Sequence, residues 1–314
     1  MQLRNLLLVF ASFFYISHSQ AQKINTLPFP EALITSTSAS SIWQKLIKID
    51  NQGRHVKGDF AIHSQRFYFS ELSNLTAKGE LSATLAALIS PIHSENLDES
   101  PQCRFPARYH WLKTQFDLSM VEPVICQNFF EWSKLSTTQS LSLIFATGYL
   151  GNPASYYGHT LLKLNSNKKG QLNYLENELR DLWEYELNLS SDDYYFLVAH
   201  IWELIEQNYT YYFFDENCVY RMYELFSLIE SIDLPEIKAP WVIPQEVVRA
   251  INSATYKNVS LVKKVKYIPS RQAKFYNKYW QLEPKEKAAI AEITADNEQL
   301  KLLLSENLTI QAKL

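Results

Sequence analysis

Apolar positions along this chain keep a helical rhythm through the first third and then switch to the shorter period of strands. In "SIWQKLIKID", Ile42, Leu46 and Ile49 recur at helical spacing. "GELSATLAALIS" (79–90) continues that spacing and stops before Pro91. "CRFPARYHWLKTQF" (103–116) predicts a third helix, with Pro106 near its first turn, where a missing N–H is tolerated. "CQNFFEWSKL" (126–135) predicts a fourth. Two stretches break the rhythm. "RFYFS" (66–70) predicts a short strand, and the polar, Pro-punctuated residues 22–40 predict an irregular leader. Residues 22–136 therefore form a mostly helical unit in this reading.

Beyond residue 137 the texture changes. "LSLIFATGYL" (141–150) is a β-rich apolar run, and "GNPASYYG" (151–158) is a turn-rich loop. "HTLLKLN" (159–165) and "QLNYL" (171–175) predict a hairpin around "SNKKG". "LWEYELNL" (182–189) alternates as an extended segment. "SSDDYYFLVAHIWELIEQN" (190–208) predicts a helix capped by Ser190 or Ser191, with acids in its first turn. "YTYYFF" (209–214) predicts a strand, followed by a helix whose Val219, Met222, Tyr223, Phe226 and Ile229 share one face. "VSLVKKVKYI" (259–268) predicts the last strand, and residues 269–314 a tail of two charged helices. The fold class is α+β, with a helical unit at 22–136 and a small antiparallel sheet on helices at 137–268.

A chain of 314 residues, 46% hydrophobic and 20% charged, can bury a sizeable core in about two domains. Its 17 Phe and 19 Tyr against only 7 Gly describe a dense fold and exclude a linker-rich or disordered one. A net charge of −3 leaves no electrostatic footprint for nucleic acid. At the N-terminus, Arg4 precedes an apolar run from Leu6 to Ile16, too short to span a bilayer. Ser19-Gln20-Ala21 then fits a signal-peptidase site, so residues 1–21 read as a signal peptide and Gln22 as the mature start. An uncleaved signal anchor is the alternative. Export puts the chain in an oxidising compartment, the bacterial periplasm.

There, three cysteines resolve into two plus one. Cys103 and Cys126, 23 positions apart, are assigned to a disulfide worth about 3 kcal/mol on the chain-entropy view. The other arrangement leaves all three cysteines reduced and buried. Cys218, the remaining thiol, opens a helix in "YYFFDENCVYRMYELF", where unpaired N–H groups and the helix dipole favour a thiolate. Asn217 can cap that helix. A nucleophile also needs a base, and His159, after a Gly turn and at the start of a strand, has the right setting. Asn173 on the neighbouring segment could orient its imidazole. Oxyanion donors would be the Cys218 N–H and a group from "NPAS", which ends at Ser155. Spacing alone favours the plainer alternative, a thiol packed in the core. His200, inside an apolar helix, reads as a satisfied core histidine. No metal or cofactor motif is present in the sequence.

Four ordered blocks then narrow the choice. "QCRFPARYHWL", "NPASYYGHTLLKL", "RDLWEYELNL" and "YYFFDENCVYRM" resemble bacterial proteins carrying the Lnb N-terminal periplasmic domain, over about Ile42 to Arg271. The resemblance implies a lipoprotein N-acyltransferase-like enzyme that moves an acyl chain from a phospholipid. It also implies a permuted papain-like fold of the NlpC and lecithin:retinol acyltransferase kind. Carried onto this chain, Cys218 matches the nucleophile, His159 the base and Asn173 the third polar group. Relatives have a longer insertion before the block that starts at Arg180, so a more open cleft is expected here. Three functions follow as alternatives. They are a thiol acyltransferase or hydrolase acting on lipid or lipoprotein acyl groups, a cysteine amidopeptidase of cell-wall peptides, and an inactive envelope protein. Peripheral contact with the envelope membrane is an expectation, and the oligomeric state is open.

The export reading has a direct check. Protein recovered from the periplasm should begin at Gln22 on N-terminal sequencing; a start at Met1 would overturn the signal peptide.

Overall fold

The computed structural model describes residues 27–52, 54, 62–92, 95–148, 158–166, 180–205, 207, 218–237 and 242–295; Cys218, Ile293 and Ala295 are described through their backbone alone. The architecture is mixed helix and antiparallel sheet. Helices α1 (Glu31–Ser38), α2 (Ser41–Ile47), α3 (Ala77–Ile89), α4 (Pro101–Arg104), α5 (Pro106–Gln115) and α6 (Gln127–Ser133) come first. Strands β1 (Thr138–Ala146), β2 (His159–Ser166) and β3 (Leu182–Leu187) follow, then α7 (Ser191–Leu204) and α8 (Cys218–Phe226). Helix α9 (Pro244–Ser253) is flanked by β4 (Ile232–Asp233) and by β5 (Thr255–Tyr256) and β6 (Val259–Ser260). Strand β7 (Val262–Ile268) leads to α10 (Arg271–Gln281) and α11 (Pro284–Ala295).

Several sequence expectations need correction. The leader contains α1, which buries Ile34. Arg66–Ser70 is not a strand. A 3-10 turn at Gln65–Phe67 lets the consecutive Phe67 and Tyr68 both enter the core, which a strand pleat forbids. The third helix is two, because Phe105, with φ −130°, breaks it before Pro106. The last strand is also two. Lys257 and Asn258 both take positive φ, as a two-residue hairpin turn requires, and β6 pairs with β5 while β7 joins the main sheet. Segments 171–175 and 209–214, both expected as strands, lie outside the described residues.

The main sheet has the order β2-β1-β3-β7, all antiparallel. One face carries Leu141, Leu143 and Phe145 into a core shared with α7, α8 and α9. A second core, built on Trp43, Phe67, Leu81, Leu85 and Leu112, belongs to the first helices. The disulfide Cys103–Cys126 has formed as expected, with the Cα atoms 5.1 Å apart, and it ties α4 to the N-terminus of α6.

The two cores meet at α5 and α7. Arg108 on α5 is fully buried, and so are Glu80 on α3 and His200 on α7; Glu203 on α7 is nearly so. Arg108 donates to Glu80 Oε1 at 3.1 Å and to the Phe67 carbonyl at 2.9 Å. Its backbone N–H donates to Glu203 Oε1 at 2.8 Å. Glu80 also accepts the N–H groups of Phe69 and Ser70. The rings of Phe67 and Phe105 stack on the guanidinium at 4.3 and 4.0 Å. His200 Nδ1 lies 3.1 Å from the other Glu203 oxygen. Burial holds the His200 imidazole below its ordinary value, against the pull of Glu203.

A depressed histidine makes stability depend on acidity. The unfolded chain takes up a proton near the ordinary histidine value of 6.5, while the folded chain resists it. The contribution is complete above that value and is lost as the pH falls. Between about pH 7.5 and about pH 5.5, urea unfolding should show the wild type losing about 1 kcal/mol more than His200→Gln. Equal losses would place the titration elsewhere.

Candidate functional site

The helix that begins at Cys218 and the strand that begins at His159 pack on one another. Each is positioned by residues whose role is visible. Helix α8 buries Val219, Tyr220, Leu225 and Phe226 in the core beneath the sheet. Its far end is gripped from the first helical unit. Lys45 on α2 donates to the Ser227 carbonyl at 2.8 Å, and Lys48 lies 3.7 Å from Glu224. Lys48 takes a left-handed conformation, φ 63°, where α2 ends. Burial alone would raise the Glu224 carboxyl, but Lys48 and Arg221 hold it below its ordinary value. Cations at the last carbonyls of α8 also complement its dipole, which anchors the helix at its C-terminal end.

At the strand, Gly158 has φ +101°. A Cβ there would sit 2.6 Å from Phe145 Cε2 and 2.8 Å from the Ala146 carbonyl oxygen. Only glycine lets the chain turn into β2 at this spot. His159 is half-buried and pairs with Ala146 in the β1–β2 ladder. The pleat sets it on the same face as Ile144 and Leu161, whereas Leu143, Phe145 and Leu162 face the α8 side. His159 stands at the end of the strand, on the terminal rung of the ladder.

That sheet end carries a residue the sequence reading did not select. Arg180, nearly buried, donates from Nε to the Thr147 carbonyl at 2.7 Å. Next to it Asp181 accepts the Tyr267 hydroxyl at 2.9 Å and the Ser270 N–H at 2.8 Å. Burial would raise the Asp181 carboxyl, but these donors bring it below its ordinary value. The signal was an Arg-Asp pair directly ahead of an alternating strand, inside a quoted block.

The remaining expectations divide cleanly. Cys103 and Cys126 are joined. His200 is buried beside Glu203, and its Nε2 has no hydrogen bond among the described residues. Asn173, Asn217 and Ser155 lie outside the described residues, as does the Cys218 side chain. Among the described residues no group of His, Cys, Asp and Glu could hold a metal ion, and no helix is long and apolar enough to cross a membrane.

Two family models match successive parts of the chain. Residues 128–176 and 172–254 match the family model of the Lnb N-terminal periplasmic domain. Residues 35–115 match a separate family model, a domain of unknown function (DUF7843). The first resembling block, Gln102–Leu112, therefore falls in the second match. A search of curated proteins and a search of solved structures each find no match.

The glycine gives the local test. Gly158→Ala should destabilise the protein by about 1–3 kcal/mol, measured by chemical denaturation, since it combines a strained φ with a clash. A neutral substitution would mean that the turn into β2 is not tightly fixed.

Proposed function

We propose that this chain, whose residues 128–254 match the Lnb N-terminal periplasmic domain, is a periplasmic envelope protein that acts as a thiol-dependent acyltransferase or hydrolase. The observation that carries this is the packing of the helix begun by Cys218 on the strand begun by His159. In this reading the domain is a permuted papain-like fold. The first-turn N–H groups of α8 stabilise the Cys218 thiolate. His159 takes the thiol proton and later returns it to the leaving group. The pleat sets His159 on the face away from the α8 core, so this reading requires the imidazole to reach the sulfur around the end of β2. The thiolate attacks the substrate carbonyl, the leaving oxygen or nitrogen departs with the proton from His159, and an acyl-enzyme remains on Cys218. An acceptor amine, or water, then releases the acyl group by the same proton relay.

The Cys218 N–H, Asn217 and Ser155 supply or support the oxyanion donors, and Asn173 orients the base. Arg180, fixed at the same sheet end, adds positive potential for an anionic substrate group. Lipid or lipoprotein acyl groups are the favoured substrates, in line with the family.

An alkylation profile tests the dyad. Cys218 should react with iodoacetamide well below the free-thiol value of about 8.5, and His159→Ala should move that profile upward. Cys218→Ser should lose any acyl adduct seen by intact mass while keeping the wild-type unfolding midpoint. A thiol that stays inert until the protein unfolds, with a profile indifferent to His159, would sink the assignment.

A further inference from the structure

Helix α10 buries nothing. Among its eleven residues, Phe275, Tyr276 and Trp280 are 39%, 47% and 69% exposed, although they share one face. Phe275 stacks on Tyr279 one turn on, at 5.9 Å and 18°, which confirms that this face is a continuous aromatic strip. Arg271 and Lys278, four and three positions from Phe275, flank the strip on one side, with Lys274 one step further round. An amphipathic helix in a globular protein turns its apolar face to the core; this one turns it to solvent.

The charge around it is segregated as well. From Lys257 to Lys287 the chain carries nine Lys and Arg against two carboxylates, Glu283 and Glu286. Since the whole chain carries −3, the other residues carry −10. Strand β7, at the edge of the sheet, adds exposed Lys263, Lys264 and Lys266 with exposed Val265 and Tyr267. Lys287 reaches back over Trp280 at 5.5 Å, so a cation borders even the aromatic strip.

We propose that α10, with the flanking lysines of β7 and α11, docks this protein on an anionic phospholipid surface. The aromatic strip suits the interfacial layer, where Trp and Tyr rings sit at headgroup level. The lysines suit lipid phosphates at the same depth, and each adds attraction that falls off within a Debye length. Charge selects this occupant over a second copy of the chain. A symmetric dimer through the strip would bring the cationic flanks of two copies together. The surface lies outside both family-matched segments, and the inference stands whether or not Cys218 is a nucleophile.

Vesicle binding decides it. The full chain should co-sediment with phosphatidylglycerol-containing vesicles and bind pure phosphatidylcholine vesicles at least about tenfold more weakly, since several cations lose their partners. Added salt should weaken the anionic binding. Lys274→Glu/Lys278→Glu should lose affinity for anionic vesicles alone, and Phe275→Ser/Trp280→Ser should lose it for both. The emission difference between wild type and Trp280→Phe should shift to the blue when vesicles are added. Equal affinity for the two lipids, or none for either, overturns the proposal. So does a dimer that Trp280→Ser dissolves, which would assign the face to a second copy. A Trp280 emission already blue and indifferent to vesicles would show that the chain itself covers the strip.

Discussion

A single arginine joins the two halves of this molecule. Arg108 reaches Glu80 and the Phe67 carbonyl on one side, and its backbone N–H meets Glu203 on the other. Its residue neighbours lie far apart in sequence and come from both family-matched segments. Desolvating such a cluster costs energy that its attractions only partly return, so its net worth as stability is small. Loss of one partner is another matter, at about 3–5 kcal/mol, because a charge would remain buried alone. The cluster therefore acts through alignment. It allows one relative placement of α3, α5 and α7, and through the shared core it fixes the floor on which α8 rests.

The proposed site depends on that placement twice. Lys45 and Lys48, from the first helical unit, hold the C-terminal end of α8. The Trp202 ring N–H donates to the Cys103 carbonyl at 2.9 Å, which joins α7 to the disulfide. The helix that starts at Cys218 is thus positioned by residues from a segment whose family has no known function. That segment is a structural partner of the residues that match the Lnb N-terminal periplasmic domain.

Much of this was legible in the sequence because it is local. Ser190 caps α7 by accepting the Asp193 N–H, as its place before two acids foretold. Cys103 and Cys126 followed from cysteine counting. His159 was expected to open a strand after a glycine turn, and it does, with Gly158 as the residue that makes the turn possible. What failed was set by tertiary contact. "RFYFS" has strand composition, yet Tyr68 gives its hydroxyl to the Ile47 carbonyl and sits with Phe67 in the helical core. Helix α1 is weakly amphipathic and follows two prolines, so its period was faint. The Arg108–Glu203 contact spans 95 positions, and no local pattern announces it.

Strand β7 lies beyond residue 254, where the Lnb match ends, yet it pairs with β3 along the whole of that strand. The matched segment taken alone would leave β3 with an open row of N–H and C=O groups, an invitation to pair with another molecule. The sheet is therefore completed by residues beyond the family match. Since a chain is made from its N-terminus, the sheet cannot close until residue 268 has been synthesised. Until then β3 presents an unfinished edge that its surroundings must keep from neighbouring chains.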